Sequence, residues 1–306
     1  MIEVAGLFSL VRWPFLLAVC FLVLAGFGWG HWDHALTLRG ARSLGWVLAG
    51  WSFLHIGTMW LNARLDEDHG PVVWGAPAQR VPAYVTGMAY GCLAACVVCL
   101  AQVAPQVRWA SVGAVILAVG YSHPKTRWKG HPVLGPLTNV LGYGFLSPFV
   151  GWWIVGAPFD ARTGVVVVGA MWGVLGVYYL AQFFQEEDDA RRGYRTRVVT
   201  HGPAATLAAA RVALRVAWGL GLGLALVGWL PRPLLCVAPV VWWHDRTMTP
   251  GGEMTGEEGG QRAEKLILQL GGLLALCLLI ATVVYLWDSF HGEWVAGQAT
   301  HSGHLR

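Results

Sequence analysis

The sequence has 306 residues, of which 56% are hydrophobic and only 12% charged, with 40 Gly and 18 Trp. So few charges cannot cover the surface of a soluble protein of this length, which excludes an ordinary globular domain and points to an integral membrane protein. The net charge of +4 is small, and with the bases in short loops it gives no support to nucleic-acid binding.

The apolar run over 7–28 is long enough to span a bilayer and is read as the first helix, not as a cleaved leader. Further spans are expected at 43–62, 83–103, 109–121, 133–155, 164–184, 206–230, 233–243 and 266–287. The result is an all-α, polytopic membrane protein, a bundle of about nine transmembrane helices in one domain covering 1–306. The fourth and eighth runs are short, and the seventh carries Arg211 and Arg215 in its first turns. The six cysteines all lie in apolar runs without accompanying His or acid, as small core residues do. The stretch 244–264 is rich in glycine and reads as a flexible loop.

With nine crossings, the loops after spans two, four, six and eight share one membrane face. That face carries most of the Lys and Arg, including Arg64, Lys125, Arg191 and Arg246, and by the positive-inside rule it is cytoplasmic. The protein is thus expected in a bacterial inner membrane, in contact with membrane lipid, with its polar motifs toward the cytoplasm.

Three polar motifs fall on that face. The first, LNARLDEDHG, closes span two: Asn62 and Asp66 are four residues apart and share a helix face, and Asp68 follows. The second, YSHPKTRWKGHP, follows span four and sets Lys125, Arg127 and Lys129 in a loop short enough to close over an anion. The third, QFFQEEDDARRGYRT, follows span six. There Gln182, Gln185 or Glu186, and Asp189 fall on one face if the helix continues, with Glu187 and Asp188 turned elsewhere.

Taken singly, each motif could be a solvated loop or a topology signal. Two acidic helix ends on one face would repel unless a cation lay between them, and Asp, Glu and amide oxygens suit Mg2+, which commonly takes its other ligands from water and a substrate phosphate. The candidate metal ligands are Asp66, Asp68, Gln185, Glu186 and Asp189. The candidate diphosphate-binding residues are Arg64, Lys125, Arg127, Lys129 and Arg192, with Asn62, Asp66 and Asp189 as the catalytic set. Metal, diphosphate and basic clamp together describe ionisation of an allylic diphosphate whose tail lies in the apolar bundle.

In these motifs the chain resembles the UbiA superfamily of intramembrane prenyltransferases over most of its length. The resemblance rests on Asn62 with Asp66, on Tyr121, Ser122 and Lys129, and on Asp189, Gly193 and Thr196. Asn139 with Gly142, and Arg12 with Pro14, add to it. It implies a Mg2+-dependent prenyltransferase, a transferase of alkyl groups other than methyl, moving a prenyl group from a prenyl diphosphate to a lipophilic acceptor. The chain departs from the family pattern at Gly70, where a further Asp is usual, and at Gln182 and Gln185, which replace Asp. It resembles in this a Gln-x-x-Gln-x-Glu-x-Asp form of divergent members. A terpene cyclase of the same fold and a non-catalytic isoprenoid-binding protein are the alternatives.

Overall fold

A computed structural model describes residues 4–31, 38–66, 81–248 and 256–291. Among these residues all regular structure is helical, and each apolar run expected to span overlaps a helical segment. Five helices are long and apolar enough to cross a membrane by length and composition: those over 13–31, 40–66, 161–184, 197–226 and 258–287.

The first expected span is two helices, α1 (Val4–Ser9) and α2 (Trp13–His31). Between them Arg12 adopts a left-handed conformation with φ 53°, and Pro14 sits in the first turn of α2, where its missing N–H costs nothing. α1 is held to α3 (Leu38–Asp66) by two side chains of α3: the Trp60 indole donates to the Leu7 carbonyl at 3.1 Å, and His55 Nε2 bonds the Val11 carbonyl at 2.9 Å.

α4 (Tyr84–Ala101) packs along α3, and α5 (Pro105–Ser122) opens on its proline as the break at Pro105 predicts. The fifth span is one helical path in three parts: α6 (Leu134–Asn139), a π-helical stretch Val140–Leu146, and α7 (Ser147–Trp153). Pro148 explains the bulge, because it offers no N–H and its ring excludes the carbonyl a turn earlier.

The sixth span stops being α-helical earlier than the periodicity predicts. α8 (Ala161–Ala181) passes into a 3-10 turn, Gln182–Phe184, and Gln185 bends the chain before the short α9 (Glu186–Arg191) begins. The four acids Glu186 to Asp189 therefore occupy the first turn of a new helix, where the exposed backbone N–H groups favour negative charge.

α10 (Arg197–Leu226) starts before its expected span and kinks at Gly202, φ 78°, ahead of Pro203. A 3-10 segment, Arg232–Val237, leads into α11 (Ala238–Thr247). α12 (Gly256–His291) takes up the second part of the stretch read as a flexible loop: helix continues to Thr247 and resumes at Gly256. Periodicity hides this because the residues that open α12 are Gly and Glu, not an apolar stripe.

Two large apolar cores result, with a smaller cluster of Leu10, Ala63, Val81 and Val85 beside the α1–α3 contact. One joins α2 to α5 and α7 around Trp51, Leu61, Leu93 and Val150, with the Trp51 indole donating to Ser147 Oγ at 2.9 Å. The other joins α8, α10 and α12 around Leu180, Leu207, Leu214 and Leu266. The first depends on small residues: a Cβ on Gly151 would lie 2.0 Å from the Val23 carbonyl oxygen, and one on Gly26 would lie 1.9 Å from that of Pro148. α2 and α7 thus touch backbone to backbone, as membrane helices packed through glycine do. Gly151→Ala is expected to destabilise the fold by about 1–3 kcal/mol in thermal unfolding in detergent. Gly113→Ala, which faces open space, is expected to cause no loss.

Candidate active site

The end of α3 presents Asn62 and Asp66 one turn apart with both side chains buried. Lys129, only 8% exposed, links them: its ammonium is ion-paired with Asp66 Oδ1 and donates to Asn62 Oδ1 at 3.3 Å. Asn62 Oδ1 also accepts from Ser122 Oγ, at the end of α5, at 3.1 Å. The amide and the carboxylate that the sequence spaced for a common face thus share one cation.

Lys129 belongs to a 3-10 turn, Trp128–Gly130, entered through Arg127 in the left-handed region at φ 46°. The turn is stitched to the third motif. The Arg195 N–H donates to the Gly130 carbonyl at 2.9 Å, and a Cβ on Gly130 would lie 2.6 Å from the Tyr194 ring, so only glycine lets that ring approach. The Tyr194 ring centroid is 5.9 Å from the ammonium. Burial pushes the Lys129 ammonium down, to about 7; the Arg192 guanidinium adds to this and the Asp189 carboxylate opposes it.

The second acidic motif meets this group from α9. Asp189 is buried, and its N–H donates to the Gln185 carbonyl at 2.7 Å. Arg192 Nη2 donates to the Asp66 backbone carbonyl at 2.7 Å, so a guanidinium closes the end of α3. Gly193, φ 70°, follows as the left-handed residue that ends α9, and the Tyr194 N–H reaches back to the Asp189 carbonyl at 2.9 Å. The Asp-x-x-x-Gly spacing is thereby explained: the glycine reverses the chain so that Arg195 reaches the Lys129 turn.

Gln182, where the family pattern has Asp, is buried and already engaged. Its Oε1 accepts from the Val198 N–H at 3.2 Å, satisfying one of the orphan donors in the first turn of α10. It also lies in hydrogen-bonding reach of Tyr178, which in turn reaches Tyr121, and Tyr121 reaches Asn139. Gln185 and Glu186 are half-buried. Burial raises the Glu186 carboxyl above its ordinary range, with the Glu187 carboxylate adding to it. Glu187 is exposed, as its expected orientation requires, but Asp188 is buried and ion-paired with Arg191.

The structure therefore gathers Asn62, Asp66, Lys129, Asp189 and Arg192. It leaves Lys125 and Arg127 exposed on the loop surface and Arg64 half-buried on α3, while Asp68 lies outside the described residues. The expected three-residue basic clamp reduces to Lys129 because a 3-10 turn, unlike an extended loop, does not point alternate residues the same way. Arg12 was not among the expected site residues: its charge bears on Lys129 and on Tyr143. Only its place ahead of Pro14 marked it in the sequence. Among the described residues no three His, Cys, Asp or Glu side chains converge closely enough to hold a metal. A cation here would need amide and substrate oxygens beside the two carboxylates.

The UbiA prenyltransferase family model matches residues 7–247, and no curated protein matches the sequence at a significant level. A UbiA homologue from Archaeoglobus fulgidus bound to DMAPP and Mg2+ has a similar fold, with a TM-score of 0.63 at 18% identity over 91% of this chain and 99% of the other. The apo UbiA homologue of Aeropyrum pernix K1 gives 0.62 at 17% identity over 86% and 97%. A digeranylgeranylglyceryl phosphate synthase gives 0.63 at 12% identity over 90% and 97%.

Removing one member of a buried ion pair strands the other. Lys129→Met is expected to cost about 3–5 kcal/mol of stability and Ser122→Ala about 1 kcal/mol, both read by unfolding in metal-free detergent solution.

Proposed function

This chain belongs to the UbiA prenyltransferase family, and on that premise we propose that it transfers a prenyl group from a prenyl diphosphate to a lipophilic acceptor in a Mg2+-dependent reaction. It is an integral, multi-pass membrane protein. We read it as one prenyltransferase-like domain over 1–306, in a bacterial inner membrane with the acidic motifs on the cytoplasmic face.

The reading is supported by the Lys129 ammonium, which pairs with Asp66 and feels the charge of Asp189, and by the Arg192 guanidinium, which bonds the end of α3. Oxygen donors and basic donors interleaved at the end of an apolar bundle suit a diphosphate with its counter-cation. The Archaeoglobus fulgidus homologue, which binds DMAPP and Mg2+, supports the same pairing. The donors fit Mg2+ in kind: they are hard oxygens, and a cation already lies against Asp66 and Asn62. Asp66, Gln185, Glu186 and Asp189 would hold it, together with Asp68. Bound there, it would neutralise charge developing on the diphosphate leaving group.

The chain's own residues do the rest. Lys129 acts as a point charge and Arg192 as a planar fork toward phosphate oxygens, with Arg64, Lys125 and Arg127 available as the outer basic residues. As the allylic C–O bond breaks, its electron pair leaves with the diphosphate. The acceptor supplies the pair for the new bond and gives up a proton. Tyr121 and Tyr178, which lie within the charge influence of Asp189, would offer π faces to the allylic cation.

A second reading, isoprenoid binding without transfer, is favoured by Gln182, whose carbonyl caps α10. A terpene cyclase would use the same donors without an acceptor. Purified protein with Mg2+ and labelled C10 to C20 prenyl diphosphates distinguishes the three. Transfer predicts diphosphate release only with a lipophilic acceptor present, lost on chelation and reduced about 10²- to 10³-fold or more in Asp66→Ala and Asp189→Ala. Release without acceptor, giving hydrocarbon or terpenol, would instead mark a cyclase. Retained binding with no release under any condition would end both enzymatic readings.

A further inference from the structure

Beside the second core, α10 and α11 carry a charged group that the transfer reaction does not use. α10 carries Arg211 and Arg215 four residues apart, and both turn onto one carboxylate, Asp245, in the last turn of α11. Arg211 Nε and Nη2 donate to Asp245 Oδ1 and Oδ2 at 2.9 and 2.7 Å. Arg215 Nε and Nη2 donate to the same two oxygens at 2.7 and 2.9 Å. Asp245 thus accepts four charge-assisted hydrogen bonds, which uses its four lone-pair sites.

One guanidinium neutralises one carboxylate, so the triad keeps a surplus positive charge inside a helix long and apolar enough to cross a membrane. Arg246, the next residue, lies 5.0 Å over the Trp242 ring. Each guanidinium of the triad has five N–H donors and spends two on Asp245, and Arg215 is 54% exposed. Trp242 and Trp243, 60% and 49% exposed, flank the group as aromatics do at headgroup depth. The level is that of the site: Arg262 of α12 bonds the Thr247 carbonyl, and Gly260 of α12 lies against Phe184.

A surplus charge facing lipid is costly without a counter-ion, and the bilayer supplies one at this depth as the headgroup of an anionic lipid. Basic pockets between membrane helices bind such headgroups. We propose that Arg211 and Arg215, organised by Asp245, form a binding site for the phosphate of an anionic phospholipid on the outer side of α10 and α11. The phospholipid would brace two helices of the bundle and leave the diphosphate site to its own substrates.

Native mass spectrometry of the full chain in detergent, with phosphatidylglycerol, phosphatidylcholine or inorganic phosphate added, tests this. Phosphatidylglycerol should be retained at least about fivefold over phosphatidylcholine, the factor expected for one basic residue at a lipid surface. That preference should fall by about the same factor in Arg215→Gln, where Arg211 still holds Asp245, and persist in Arg108→Gln, an exposed arginine of α5. Equal retention of the two lipids by the unaltered protein, a preference unchanged in Arg215→Gln, or an equal loss in Arg108→Gln would overturn the proposal. Full displacement of phosphatidylglycerol by millimolar inorganic phosphate would assign the site to a free anion and overturn the lipid assignment.

Discussion

The polar end of the bundle is organised by a buried ammonium. Lys129 reaches Asn62 and Asp66 at the end of α3, sits under the charge of Asp189 from α9, and lies beside the ring of Tyr194. Without it, two acidic helix ends brought to one mouth would repel in a region where water screens poorly. With it, three segments far apart in the chain converge, and the turn that carries the lysine is fixed by the Arg195 to Gly130 backbone bond. A cation and a diphosphate placed in this group would find oxygen donors from two helices and nitrogen donors from the loops between them.

How far this was legible in the sequence follows from which signals are periodic. The apolar runs and the four-residue spacing of Asn62 and Asp66 are helical signals, and the helices and the common face of that pair follow from them, but not their shared contact with Lys129. Where the backbone leaves the α-helix, periodicity misleads. Gln182 to Asp189 read as one continuing face, yet a 3-10 turn and the bend at Gln185 split them between two elements. Lys125, Arg127 and Lys129 read as one clamp, yet the turn buries only the last. Arg12 carried no spacing signal, since its role comes from a left-handed turn between two helices. The charge on α10 was visible as Arg211 and Arg215, but their shared partner, Asp245, lies thirty or more residues on and cannot be paired from sequence.

The replacement of two acids by Gln182 and Gln185 takes on a physical meaning from these contacts. A carboxylate at position 182 would add a charge that an amide does not, whereas the Gln182 carbonyl caps α10 without one. The motif thus gives up metal charge and gains a fixed joint between α8 and α10. On the proposed reading, charge for a cation comes from Asp66, Asp189 and the half-buried Glu186, whose carboxyl is raised by burial and by the neighbouring Glu187.

Asp66 and Asp189 are proposed to serve one cation and one diphosphate. Anomalous diffraction from the protein crystallised with Mn2+ and a non-hydrolysable prenyl thiodiphosphate addresses it directly. The account predicts a metal peak bonded by both carboxylates, with Lys129 drawn from Asp66 onto the diphosphate. A peak bonded from one helix end alone, or diphosphate bound away from Lys129 and Arg192, would contradict it.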